Sequence, residues 1–221
     1  MSQLFAQTLP VSRKTTVPKL PRIAARASEV NARKGYQVAV SIEEAGRIIP
    51  GTFKFTEISG DGRHYLSVGP RFVFANRAQL ANIAAPADDP TAVPFSRRFF
   101  LGGATSVRGW GRYELSPLSD SGLPIGGRSM LAFTSEARAT IRGSFGTVLF
   151  LDTGNVWANS WDVRLNDLRY AVGTGLRYTT PVGPLRFDIG YQLNPIPGLI
   201  IDSGNPQTRR WRMHFSIGQA F

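Results

Sequence analysis

Two stretches of the chain and its two histidines hold residue types that could do chemistry. The stretch VLFLDTGNVW, Val148 to Trp157, carries Asp152 in an Asp-Thr-Gly triplet behind an apolar run. Two such acids facing each other can share one proton and hydrolyse peptides. The stretch RRFFLGGATSVRGWGRYE carries Arg108 among glycines at 102, 103, 109 and 111, which allow tight backbone approaches. The histidines, His64 and His214, have no neighbouring ligand pattern, and the chain has no cysteine. A zinc site, a disulfide and thiol chemistry are therefore not expected, nor is any other metal or cofactor.

Each chemical reading depends on its surroundings. Peptide hydrolysis needs two copies of the triplet, and the chain has one. Asn155 also stands where aspartic proteases usually place Ser, Thr or Ala, so a single-triplet protease is carried only as an alternative. A phosphate cradle around Arg108 would need a strand before it and a helix after it, and the sequence there offers neither. By itself, Val107-Arg108-Gly109-Trp110 is a turn with one basic residue.

The elements that would position these residues are strands. From Met130 onward the chain alternates in segments close to the ~9–11 residues a tilted strand needs to cross a bilayer. In SMLAFTSEARATIR one phase reads Leu131, Phe133, Ser135, Ala137, Ala139, Ile141, and the other Thr134, Glu136, Arg138, Thr140, Arg142. RYAVGTGLRYT, PLRFDIGYQLN and RWRMHFSIGQAF repeat the pattern, with aromatics and aliphatics on one phase and Arg177, Arg186, Asp188, Gln192, Arg212 and His214 on the other. Upstream, GYQVAVSIEEA, GTFKFTEIS and RFVFANRAQLANIA continue it. About eight strands result, with one more partial strand in PKLPRIAARAS within an otherwise irregular segment 1–34.

A soluble sandwich with an apolar core would also alternate, but three features favour a transmembrane β-barrel. Short connections (Gly143-Ser144, Pro181 to Gly183) alternate with long ones (Asn159 to Asp167, Pro195 to Gln207). Tyr170, Tyr178, Tyr191, Trp211 and Phe221 fall near strand ends on the apolar phase, where interfacial girdles lie. The other phase carries charge that suits a wet lumen and would cost ~2–4 kcal/mol per arginine at mid-membrane. Between Ala85 and Gly127 runs a segment without sustained period, far longer than the usual ~4–6 residue connection.

Composition adds bounds. The 221 residues are 42% hydrophobic and carry 26 Lys+Arg against 15 Asp+Glu, a formal +11. That charge suits nucleic acid, an anionic membrane surface or a basic channel. Nucleic-acid binding is not expected, because stacking aromatics and arginines would have to share a surface and here they occupy opposite strand phases. No run of ~18 apolar residues marks a transmembrane helix. The start, MSQLFAQTLPVSRKTTVPKLPR, lacks the apolar core of an export signal.

The motifs FFLGGATSVRGW, LFLDTGNVW, GTGLRYTTPVGPLRFDIGYQLN and the terminal HFSIGQAF, in that order, resemble the C-terminal barrel region of the BamA/TamA outer-membrane assembly-factor superfamily, also called bacterial surface antigens. The resemblance runs from about Gly35 to Phe221. It implies an all-β, antiparallel barrel in the outer membrane of a Gram-negative type envelope, of which this chain holds the C-terminal half of sixteen strands. It implies that 85–127 folds back into the lumen from the cell exterior. Arg108 would then pair with Glu136 on the first strand after the loop and Asp152 on the next. It also makes Phe215, Ile217, Gly218 and Phe221 an insertion signal, read as an exposed strand edge.

The activity so implied is non-enzymatic: assembly, insertion or translocation of outer-membrane or exported proteins, with outer-membrane lipids, unfolded proteins and the barrel assembly machinery as partners. A secretion pore or passive channel is the alternative. The family carries export signals and periplasmic domains ahead of the barrel. A chain without them reads as a fragment: a truncated product, a split gene or one half of an assembly.

Overall fold

The computed structural model describes residues 33–46, 53–86, 92–181, 183–201 and 204–218; the partial strand expected in PKLPRIAARAS lies outside them. Seven long strands follow in chain order: β1 (Gly35–Ala45), β2 (Phe55–Val68), β3 (Phe72–Ala84), β4 (Ser129–Arg142), β5 (Phe145–Trp157), β6 (Arg169–Thr180) and β7 (Gly183–Gln192). A two-stranded hairpin of β8 (Ile200–Ile201) and β9 (Asn205–Pro206) precedes β10 (Trp211–Ile217). One antiparallel sheet is ordered β1-β2-β3-β4-β5-β6-β7-β10, each strand paired with its neighbour. Among the described residues β1 and β10 form its two open edges, and the sheet does not close on itself.

Side chains are sorted inside out relative to a soluble protein. Along β5, Leu149 and Leu151 are exposed while Val148, Phe150 and Asp152 are buried. On β7, Phe187, Ile189 and Tyr191 are exposed while Arg186, Asp188 and Gln192 are buried. The same holds on β1, where Tyr36, Val38, Val40 and Ile42 point outward. An apolar outer band over a charged interior minimises free energy only when hydrocarbon surrounds the sheet, since it leaves large side chains such as Leu149 (64% exposed) and Phe215 (69%) uncovered. Leu149 sits mid-strand, opposite Ala137 and Thr174. Leu149→Arg is therefore expected to cost ~2–4 kcal/mol in urea titrations of the chain folded into vesicles.

Connections divide by length between the two ends. The strand ends that 69–71, 143–144 and 181–182 join lie at one end of the sheet, and those that 46–54, 85–128, 158–168 and 193–210 join lie at the other. Gly143, at φ +55, supplies the left-handed residue of its two-residue turn. Exposed aromatics mark both ends of the apolar band: Tyr36, Phe72, Phe145 and Tyr178 near the short turns, Tyr170, Tyr191 and Trp211 near the long loops. The Phe145 and Tyr178 rings lie 4.8 Å apart. His64, on the outward phase of β2, is held opposite Tyr36 at the short-turn end, where a polar group costs far less than at mid-membrane.

Two elements differ from the sequence reading. The strand expected at 51–59 runs on through Gly60-Asp61-Gly62 to Val68, although that tripeptide resembles a turn. Asp61 faces inward, where Arg63 donates to it at 2.9 Å and Arg77 also pairs with it; this pairing fixes the phase through the glycines. The long connection 193–210 carries the β8–β9 hairpin, too short for periodicity to reveal.

Candidate functional site

Residues 92–128, ahead of β4, lie against the concave face. Their backbone is pinned by bridges Phe99↔Gly127, Leu101↔Leu115 and Leu118↔Pro124. Leu101, Val107, Trp110 and Leu115 are buried with Ala132, Val156, Ala171 and Leu199 in one apolar cluster. Val107 and Trp110 thus serve as packing anchors, and between them Arg108 is turned toward the wall.

Arg108 is 1% exposed, and its side chain meets two acids that are equally buried, Glu136 at 1% and Asp152 at 0%. The guanidinium donates from Nε to Asp152 Oδ2 at 2.8 Å and from Nη2 to Oδ1 at 2.9 Å, a bidentate fork. The Arg108 backbone N–H donates to Asp152 Oδ2 at 2.9 Å. Nη1 donates to Glu136 Oε1 at 2.6 Å and stands 3.7 Å from Asp188 Oδ2. The Phe150 ring backs the cation, 3.5 Å from its centre, an attraction of on the order of 2 kcal/mol when desolvated. Burial alone would lower the Arg108 pKa, but the hydrogen bonds and charge of Asp152, with Glu136 and Asp188, hold it above its ordinary value.

Both Asp152 oxygens thus accept from Arg108, a pairing unlike a protease dyad, in which two acids face each other across a shared proton. This geometry argues against the peptide-hydrolysis reading.

The wall is shaped for the loop. Gly109 adopts φ +109, and a Cβ there would approach Ala171 Cβ to 3.1 Å. On β7, a Cβ at Gly190 would stand 2.6 Å from the Gly109 nitrogen and 2.8 Å from the Arg108 carbonyl carbon. Backbone therefore packs on backbone at this crossing.

Several contacts were not identified from sequence. Gln192 Nε2 donates to the Gly109 carbonyl at 2.7 Å, wholly buried. Asp188 gathers Arg177 (2.6 Å) and Arg186 (2.8 Å), and Arg186 also donates to the Ala104 carbonyl at 3.0 Å. Arg138 pairs with Glu136 at 2.7 Å. At the loop's other ends, Arg97 pairs with Glu43 and, at 3.1 Å, with Glu57 of β1 and β2, while Glu114 pairs with Arg212 of β10. Inward phase marked most of these wall residues in the sequence, but their partners lie dozens of residues away. Gln192→Leu should leave the Gly109 carbonyl buried without a donor and lower stability by ~1–3 kcal/mol in the same urea assay.

Phe215 and Ile217 are exposed on the outward phase of β10, and Gly218, at φ +100, donates its N–H to the Pro184 carbonyl at 2.8 Å. Phe221 lies outside the described residues. Among those residues no group of three or more His, Cys, Asp or Glu side chains could hold a metal.

Comparison with known proteins gives the following. A profile described as the Omp85 superfamily domain matches residues 23–221. The chain is 32% identical over 133 residues to outer membrane protein assembly factor BamA of Nitratidesulfovibrio vulgaris, covering 58% of this chain and 16% of that protein. It is 26% identical over 163 residues to the chloroplastic outer envelope protein 80 of Arabidopsis thaliana, covering 69% of this chain and 20% of that protein. Its fold is similar to the crystal structure of BamA from Haemophilus ducreyi lacking POTRA domains 1–3, with a TM-score of 0.68 at 19% identity over 84% of this chain and 40% of that one. The chain thus spans a fifth or less of these curated relatives.

Proposed function

The chain belongs to the Omp85 superfamily and is a β-barrel portion of an outer-membrane protein, and from that premise we propose that it contributes the C-terminal wall of a barrel that assembles or inserts outer-membrane proteins. Its substrates would be unfolded outer-membrane or exported proteins, with membrane lipids and the barrel assembly machinery as its surroundings. The observation that carries this reading is the Arg108 fork onto Asp152 and Glu136, which fixes a long loop inside the concave face of a sheet whose outer face is apolar. Arg108, Glu136 and Asp152 would act as a lock for that loop, with Val107, Gly109 and Trp110 as its seat.

Ion pairs tie the loop at three points across the sheet, by Arg97 to β1 and β2, by Arg108 to β4 and β5, and by Glu114 to β10. A loop fixed at the middle of the wall and at both of its edge strands would hold the wall's curvature. The edges at β1 and β10 each present a row of backbone donors and acceptors, the template an incoming strand needs. Phe215, Ile217, Gly218 and Phe221 would form the insertion signal on the last of these. A passive channel fits less well, because the loop occupies the interior that ions would cross.

The test is reconstitution of the full chain into lipid vesicles, followed by addition of an unfolded outer-membrane barrel whose folding is read by heat-modifiable gel mobility. Faster folding than in protein-free vesicles is expected. Steady ion conductance with no gain in folding would favour the channel reading and overturn this one.

A further inference from the structure

At the short-turn end of the concave face, away from the Arg108 fork, lies a cavity of about 320 Å³ that the assembly reading does not use. That volume is at the lower end of the ~300–1,000 Å³ typical of small-ligand sites. Four arginines line it, Arg33, Arg71, Arg138 and Arg177, and no carboxylate is among its lining residues. Thr140 and Thr179 add hydroxyls to the same wall. We infer that this cavity is a binding site for a phosphate-type oxyanion, contributed either by a lipid headgroup or by free phosphate.

Two of the four arginines are held from behind by the wall. Arg138 and Arg177 reach the cavity from β4 and β6, and each is fixed from behind by a buried acid: Arg138 Nε by Glu136 Oε2 at 2.7 Å, Arg177 Nη1 by Asp188 Oδ1 at 2.6 Å. Arg177 Nη2 makes no hydrogen bond and stands 4.0 Å from Glu136 Oε1. A guanidinium already oriented by one carboxylate can offer its remaining N–H groups to an oxyanion with little further ordering. Charge favours the same ligand. The interior network holds Arg108, Arg138, Arg177 and Arg186 against Glu136, Asp152 and Asp188, one cation in excess. Arg33 and Arg71 add two more to its lining. Arg33 is steadied there by the Pro70 carbonyl at 2.5 Å, and the Arg71 carbonyl accepts from the Thr140 N–H at 2.9 Å. The guanidinium charge around this cavity exceeds the carboxylate charge behind it, and a multivalent anion relieves the resulting repulsion.

The site is tested by calorimetric titration of the full chain folded in uncharged maltoside micelles, at constant ionic strength set with chloride. One arm adds inorganic phosphate; the other adds short-chain phosphatidylglycerol, with phosphatidylcholine of the same chain length as control. The variant is Arg33→Gln with Arg71→Gln, which leaves the Glu136 and Asp188 pairs in place, and its β-sheet circular dichroism is checked against the parent. Saturable binding of phosphate, weakened at least ten-fold in the variant, supports the site with a free-ion source. Saturation by phosphatidylglycerol alone, weakened to the same degree, supports it with a lipid source. No saturation by either probe, or equal binding by parent and folded variant, overturns the proposal.

Discussion

Replacing Arg108 by alanine is expected to destabilise the folded chain by ~3–5 kcal/mol, because it removes the charge partner of Asp152 and leaves a fully buried carboxylate with only the backbone N–H of residue 108. Urea titration in micelles reads the loss, and limited proteolysis locates it. Sites within 98–115 should become cleavable in Arg108→Ala while the strands stay protected. Arg108→Lys keeps the charge but not the fork, and should recover only part of the loss. The most informative variant is Arg108→Met combined with Asp152→Leu. Glu136 retains Arg138 at 2.7 Å, so the double variant leaves no wholly unpaired acid and should be markedly more stable than Arg108→Ala alone. A loss of 0.5 kcal/mol or less in Arg108→Ala would mean that apolar packing around Trp110 alone holds the loop.

The second large effect belongs to Gly190, which touches no charge. Gly190→Ala would place a methyl group 2.6 Å from the Gly109 nitrogen, and the obstacle is backbone on both sides, so no rotamer relieves it. The expected cost is ~1–3 kcal/mol, rising for Gly190→Val. Because the clash lifts the residues that carry Arg108, Gly190→Ala should reproduce the proteolytic pattern of Arg108→Ala. The double variant should then lose less than the sum of the two single losses. Full additivity would show that the wall and the fork act independently.

How much of this was legible in the sequence follows from what kind of signal each feature leaves. Strand period is written in consecutive residues, so SMLAFTSEARATIR coincides with β4 from Ser129 to Arg142. The separation of Leu149 and Phe187 from Asp152 and Asp188 followed from the same alternation. Glycine defeats such reading, since it has no polarity to alternate. β2 therefore continued unseen through Gly60-Asp61-Gly62, where Arg63 and Arg77 supply the order that the local sequence does not. The grouping of Arg108 with Glu136 and Asp152 came from resemblance to a family, and strand phase agreed with it. Asp188 and Gln192 had the same inward phase, but nothing local tells a wall residue which loop atom it will meet. Gln192 finds the Gly109 carbonyl from 83 positions away. Arg97 and Glu114 were harder still, because they lie in a segment with no period against which an inward side could be defined.

Alternate residues of one sheet face hydrocarbon and an ionised interior, and every role assigned above depends on that partition. It is most directly tested by spin labelling, for which a chain with no cysteine gives a silent background. Leu149→Cys, Phe187→Cys and Phe215→Cys, each labelled with a nitroxide in lipid vesicles, should show high collision rates with oxygen dissolved in the bilayer and low rates with a water-soluble nickel chelate. Ser59→Cys and Ser216→Cys, on the inward phase of β2 and β10, should be shielded from bilayer oxygen. The opposite partition, with nickel reaching 149, 187 and 215 and oxygen reaching 59 and 216, would contradict the account.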